Sequence, residues 1–314
     1  MTDKARKTAL VIGCGGTIGG AWIVAALHAL AEQTGSDPAG ADVLQGTSAG
    51  AEIVTMLGGG ASVADLVAMQ RGQATDERLR RHLHDTPPGL PPLPRPRLLN
   101  PALLRSQSGL AALAGVAPTG RGDAGWLQRL ADGFQAPNGW LAHPGARMVA
   151  YDVQRGRRVA FGAPGSPKAT VGEALRASWA IPGWMPPVTI GDQTYVDGGA
   201  ASTASVDLVE PEDADIIYVI APMASATGVR VPGIGGVLED RLLRRPMSAG
   251  LWQEIAAVRA RGQRVIPIVP TVTDLAGLGA NFMNRSRRPA AFEAAMTTAP
   301  TTVRKALAAS EVDA

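Results

Sequence analysis

One cysteine in 314 residues, Cys14, excludes an intrachain disulfide. Aromatic residues are few (4 Phe, 6 Trp and 3 Tyr), and no basic stripe interleaves with them, so the stacking and phosphate-tracking surface of a nucleic-acid binder is missing. Charged residues make up 18% of the chain, and 30 Lys+Arg nearly balance 27 Asp+Glu, leaving +3. That balance sets up no strong field of either sign. No apolar run reaches the roughly 18 residues that suggest a membrane span. The N-terminus, MTDKARKTALVIG, passes directly into a strand pattern without the h-region of a signal peptide. A cytoplasmic protein is expected, with contact at a membrane surface left open.

Histidine is scarce as well, and its positions matter. The four copies are His28, His82, His84 and His143, and none follows His143. A hydrolase triad in the order nucleophile, acid, histidine therefore has no downstream imidazole. His82 and His84 lie in a charged, loop-like stretch (RLRRHLHD), and i, i+2 spacing does not put both on one helix face. With no third ligand cluster beside them, no metal site is expected.

What the chain has in quantity is glycine (38), proline (24) and short apolar runs. Thr8–Gly13 reads as a buried strand entering a glycine-rich loop, and Gly20–Glu32 follows with apolar residues at helical spacing. Asp42–Gln45 is a second short strand, and a helix then runs to about Leu57. Strand–loop–helix–strand–turn–helix implies a parallel sheet with helical crossovers. Seven prolines within residues 86–101 exclude helix and central strand there, so an extended surface loop is expected. Residues 102–145 read as short helices capping one end of the sheet. Hairpins are expected over 147–161 and 187–196, the second turning at Gly191-Asp192. Two more strands, Asp215–Ile220 and Arg264–Val269, flank a long helix near 237–261, and a helix over 288–309 closes the chain.

Three motifs carry chemistry. Gly46-Thr47-Ser48-Ala49-Gly50 is a G-x-S-x-G where a strand meets a helix. In that context the turn pushes a serine out of the sheet and aims helix N–H groups at it. A structural turn is the competing reading. Asp197-Gly198-Gly199 follows the second hairpin and offers a carboxylate base in place of histidine, although D-G is also a common turn pair. Gly13-Cys14-Gly15-Gly16-Thr17-Ile18-Gly19-Gly20 can aim amides at an oxyanion, cradle a pyrophosphate, or simply turn. Ile18 breaks the dinucleotide register, and no acidic residue ends the second strand, so a nucleotide-binding oxidoreductase is the weaker alternative. Cys14, in a glycine loop before a helix, is a candidate reactive thiol or a small buried residue.

Taken as a set, these motifs resemble the patatin-like phospholipase family. That family pairs a glycine-rich oxyanion loop, a G-x-S-x-G elbow and a downstream D-G-[GA]. The segment Ala174–Gly183 followed by Met185-Pro186-Pro187-Val188 resembles the family's approach to its aspartate, and the resemblance covers roughly residues 8–221. It implies a three-layer α/β/α fold with a mainly parallel central sheet and a helical cap or insert. One domain over 1–314 is expected, with the insert and cap at about 80–145 and a C-terminal α/β extension at about 222–314. The resemblance implies Ser48 as nucleophile, Asp197 as base, and amides of Gly15, Gly16 and Ala49 as the oxyanion hole. Gly46, Gly50, Gly198 and Gly199 complete the motifs. The substrate implied is an acyl ester or phospholipid, with no cofactor, no metal and no nucleic acid. The family loop reads G-G-G-x-[KR]-G, whereas here Cys14 replaces the first glycine and Ile18 the basic residue. The alternative within the same fold is a lipid- or acyl-binding protein disabled at that loop.

Overall fold

The structure, a computed structural model, describes residues 6–86, 93–98, 117–226, 229, 240–279 and 283–312. In chain order the strands are β1 (Thr8–Ile12), β2 (Val43–Thr47), β3 (Arg95–Leu98), β4 (Pro118–Thr119), β5 (Ala146–Asp152), β6 (Arg157–Phe161), β7 (Val188–Ile190), β8 (Gln193–Asp197), β9 (Ile216–Ile220) and β10 (Arg264–Ile268). The α-helices are α1 (Gly16–Thr34), α2 (Ala49–Gly58), α3 (Val63–Gln70), α4 (Glu77–Asp85), α5 (Gly125–Phe134), α6 (Val171–Ser178), α7 (Arg245–Ala260), α8 (Val272–Leu278) and α9 (Arg288–Val312).

Eight strands form one sheet in the order β10-β9-β1-β2-β5-β8-β7, with β6 on the other side of β5. The run from β10 to β5 is parallel, as the strand–helix alternation predicts. Along β1, alternate side chains go to opposite faces. Leu10 and Ile12 join the larger core with α1, α2 and α9, while Ala9 and Val11 join a second core closed by Leu251, Ile255 and Val258 of α7. Helices therefore cover both faces, giving the three expected layers.

The detail that creates a site lies on β5. β6 pairs with residues 148–152 of β5 along one edge. β2 pairs with 146–149 and β8 with 150–152, so both must use the opposite edge. β2 runs parallel to β5 and β8 antiparallel. The two strands thus approach head-on, C-terminus to C-terminus, with Thr47 opposite Val149 and Asp197 opposite Ala150. Strand ends far apart in sequence meet because one strand presents adjacent sites to both.

Several local expectations are corrected. The glycine run is not all loop: α1 begins at Gly16, and Gly19 and Gly20 are helical. A side chain at Gly19 would meet the Pro222 ring at 3.2 Å, so close packing rather than a turn accounts for that glycine. The stretch holding His82 and His84 is helix α4, N-capped by Asp76, whose side chain accepts from the Arg78 amide. Helix α3 was not anticipated from apolar spacing, although Ser62 and Asp65 form a capping box at its start. In the proline-rich stretch, β3 pairs with β4 in a ribbon separate from the main sheet. Within the expected cap, α5 buries Trp126, Leu127, Leu130 and Phe134 against the main core. The remaining parts of the insert and cap, 87–92 and 99–116, lie outside the described residues, as does the expected start of the long helix before 240.

Candidate active site

Ser48 sits at the turn between β2 and α2 with φ 56° and ψ −117°. Only Ser48 and Ser205 among the described non-glycine residues have positive φ. Such a conformation costs about 1–3 kcal/mol and persists only where the surroundings impose it. The flanking glycines show how. A side chain at Gly46 would lie 2.3 Å from the Gly50 carbonyl oxygen, and one at Gly50 would lie 2.1 Å from the Ile12 oxygen. The start of α2 is therefore pressed against the ends of β1 and β2, and only glycine fits at both positions.

Asp197 ends β8 and is 4% exposed; Ser48 is 2% exposed. The Ser48 side chain approaches the Asp197 carboxyl and works to lower its pKa. The Gly199 amide donates to it, at 2.7 Å from Oδ1. Burial pushes this carboxyl up from 3.8 to about 7, against the opposing pull of the Ser48 side chain and the Gly199 amide. No histidine is bonded to either residue among the described residues. His82 Nε2 lies 2.7 Å from Glu52 Oε1 and its ring stacks on Trp126, while His84 is exposed.

The glycine loop leaves β1 beside the elbow. The Gly13 amide donates to Ile220 O and the Cys14 amide to Thr203 O, both at 2.8 Å. The amides of Gly15, Gly16 and Ala49 keep no partner among the described residues. The three motifs touch one another. A side chain at Gly199 would meet Cys14 Cβ and Sγ at 3.1 Å, and one at Gly198 would meet Thr47 Cγ2 at 3.1 Å. Behind the loop, the Pro222 ring fills the space beside Gly15 and Gly19, and buried Arg244 donates to the Pro222 carbonyl at 2.9 Å.

The two departures at this loop have local explanations. Cys14 is buried, and its Sγ lies 3.4 Å from Thr203 Oγ1. Burial, with the nearby Asp197 charge, pushes its thiol up to about 12. The reactive-thiol reading is thereby overturned: low dielectric and a neighbouring carboxylate disfavour the thiolate. Ile18 lies inside α1 and is fully buried in the main core, so position 18 faces packing rather than the motif cleft. Trp184 and Met185 join the main core, where Trp184 O accepts from the Gly122 amide at 2.7 Å.

One residue that sequence reasoning passed over sits between the motifs. Ser178, fully buried at the end of α6, accepts from the Ser48 amide at 2.9 Å and donates to Val149 O at 2.6 Å. Its place in the Ala174–Gly183 segment was the only available signal, and nothing local marks that serine as a bridge.

Comparison with known proteins follows the same line. The model of the Patatin-like phospholipase family matches residues 10–209, a span that holds the loop, the elbow and the Asp197 motif. The chain belongs to the patatin-like phospholipase family. Its fold is patatin-like, and the family is one of lipid acyl hydrolases. Among solved structures, the chain is similar to VipD from Legionella pneumophila at 14% identity and a TM-score of 0.40, over 94% of this chain and 67% of that one. No curated protein matches it. Among the described residues no group of three or more His, Cys, Asp or Glu could hold a metal ion, and no helix is long and apolar enough to cross a membrane.

Proposed function

We propose that this patatin-like protein is a serine acyl hydrolase that cleaves carboxylic esters of fatty-acyl chains, phospholipids among them, with Ser48 as nucleophile and Asp197 as base. One observation carries the reading: a serine in a strained strand-to-helix turn sits beside a buried carboxyl raised to about 7. A carboxylate of ordinary basicity is a poor partner for serine, and burial removes that objection. Near neutral pH such a group is divided between its two forms, so it can accept a proton and return it.

In the first step Ser48 Oγ attacks the ester carbonyl carbon and its proton passes to Asp197. Negative charge moves to the carbonyl oxygen, where the amides of Gly15, Gly16 and Ala49 and the N-terminal end of α2 oppose it. Collapse expels the alcohol, which takes the proton from Asp197. Water then repeats the sequence on the acyl-enzyme, with Asp197 again as base. The replacement at Cys14 removes no oxyanion donor on this reading, because that amide is already committed to Thr203 O.

The test is labelling with a fluorophosphonate, together with turnover of p-nitrophenyl esters of increasing acyl length. Wild-type protein should label at one site, and Ser48→Ala should lose both label and turnover. Absence of labelling and turnover at every chain length would sink the hydrolase reading in favour of an acyl-binding protein.

A further inference from the structure

The head-on meeting of β2 and β8 leaves a physical problem. Ser48 and Asp197 come from strands that share an edge of β5, yet among the described residues no ladder joins β2 to β8. Their separation must be set by something that touches both. Contact between the two side chains cannot be that fixture, because it must change whenever a proton passes between them.

Besides β5, which pairs with both strands, one short segment touches both backbones. Ser178 Oγ accepts from the Ser48 amide at 2.9 Å and donates to Val149 O at 2.6 Å. Two residues on, Ala180 O accepts from the Asp197 amide at 3.0 Å. Val149 faces Thr47 in the β2–β5 ladder, and its neighbour Ala150 faces Asp197. The bonds therefore bracket the junction on β5 where the two strands end. The bracket has a firm base. Helix α6 opens on a reciprocal capping box of Thr170 and Glu173, and Ser178, Trp179 and Ala180 are all buried. A buried hydroxyl with one donor and one acceptor satisfied is held in one orientation.

We propose that Ser178–Ala180 is a clamp that sets the Ser48–Asp197 separation, with Ser178 as its positioning residue. Ser178 makes no contact with substrate. It holds Ser48 against relaxation from φ 56°, and it occupies the Ser48 amide, which leaves Ala49 as the elbow's oxyanion donor. The effect on turnover rests on Ser48 being the nucleophile; the effect on the backbone does not.

Two variants separate these roles. Ser178→Ala deletes the bridging oxygen and leaves a buried amide and a buried carbonyl unpaired, whereas Ser178→Thr keeps the oxygen and adds a methyl group to a packed site. Four quantities are compared: amide hydrogen exchange at Ser48, fluorophosphonate labelling rate, kcat and KM for p-nitrophenyl butyrate, and thermal midpoint. In Ser178→Ala, Ser48 amide exchange should accelerate, and labelling rate and kcat should fall about 10²-fold, the cost of an ångström-scale misplacement, with KM little changed. Ser178→Thr should recover most of the labelling rate even if its midpoint drops as far as that of the alanine variant. Unchanged exchange and labelling in Ser178→Ala would overturn the clamp. So would losses that simply follow the thermal midpoint in both variants. If wild-type protein neither labels nor turns over, the hydrolase reading fails, and the exchange comparison alone still decides whether Ser178 holds Ser48.

Discussion

Two buried aspartates, Asp197 and Asp274, are 4% and 3% exposed, yet their acidities move in opposite directions. Asp197 ends β8 and accepts from the Gly199 amide at 2.7 Å, with the Ser48 side chain close by. Burial outweighs them and its carboxyl rises to about 7. Asp274 lies in the first turn of α8 and gathers donors from two other helices and from Thr271, the residue that caps α8. Thr271 gives its amide at 2.8 Å, Trp22 Nε1 lies at 3.1 Å and Thr302 Oγ1 at 3.0 Å, and the hydroxyls of Thr271 and Thr298 also donate. Burial works to raise this carboxyl too, but the hydrogen bonds together hold it below its ordinary value. A carboxylate with enough donors is structural cement, tying α1, α8 and α9 together. One left short of donors keeps a raised pKa.

The sharpest way to break this comparison is to neutralise each aspartate. Asp197→Asn should lower kcat by about 10⁴-fold, the scale seen when a base partner is lost from a serine mechanism, in steady-state ester hydrolysis. Its unfolding free energy at pH 8 should match or exceed that of wild type, because the substitution removes a buried charge. Asp274→Ala should do the reverse, costing about 3 kcal/mol of stability as five donors lose their acceptor in urea unfolding. Its kcat per folded molecule should stay close to wild type. Equal loss of activity in both variants would erase the distinction.

Titration tests the same contrast more gently. The kcat/KM profile should rise about tenfold per pH unit on the acid side and level off near 7, as Asp197 in free enzyme becomes ionised. The stability effects have opposite signs. Native Asp197 keeps its proton above the pH where the unfolded chain has lost it, so native protein loses stability, relative to Asp197→Asn, as pH rises toward 7. The Asp274 contribution is complete above the ordinary carboxylate range and disappears as pH falls through its lowered value. The smallest effect is expected at Cys14. With its thiol buried and raised to about 12, native protein should resist maleimide, while urea-unfolded protein should label fully.

Much of the architecture was legible along the chain. Alternating strand and helix patterns foretold the parallel run of the sheet, and the hairpins over 146–161 and 188–197 lie where the turn residues suggested. Gly191, at φ 57°, makes the second turn possible. The misses share a cause. Helix α4 hid because its charged residues cover an exposed face and only Leu79 and His82 turn inward. The glycine run looks like loop in sequence because a glycine that yields to a neighbouring Pro222 ring cannot be told there from one that makes a turn. Ser178 carried no signal because its partners, Ser48 and Val149, are distant in the chain.

By itself the sequence determined the Ser48 elbow, since a short strand, a helix and two glycines at fixed spacing are local features that force a strained turn. It also made an aspartate the economical base by withholding any histidine downstream of His143. Only the tertiary structure decided that Asp197 meets Ser48 head-on along β5, that burial raises its carboxyl, that Cys14 is buried, and that Ser178 bridges the junction. Those outcomes depend on burial and on donors supplied by other elements, and neither quantity exists until the sheet has closed around the site.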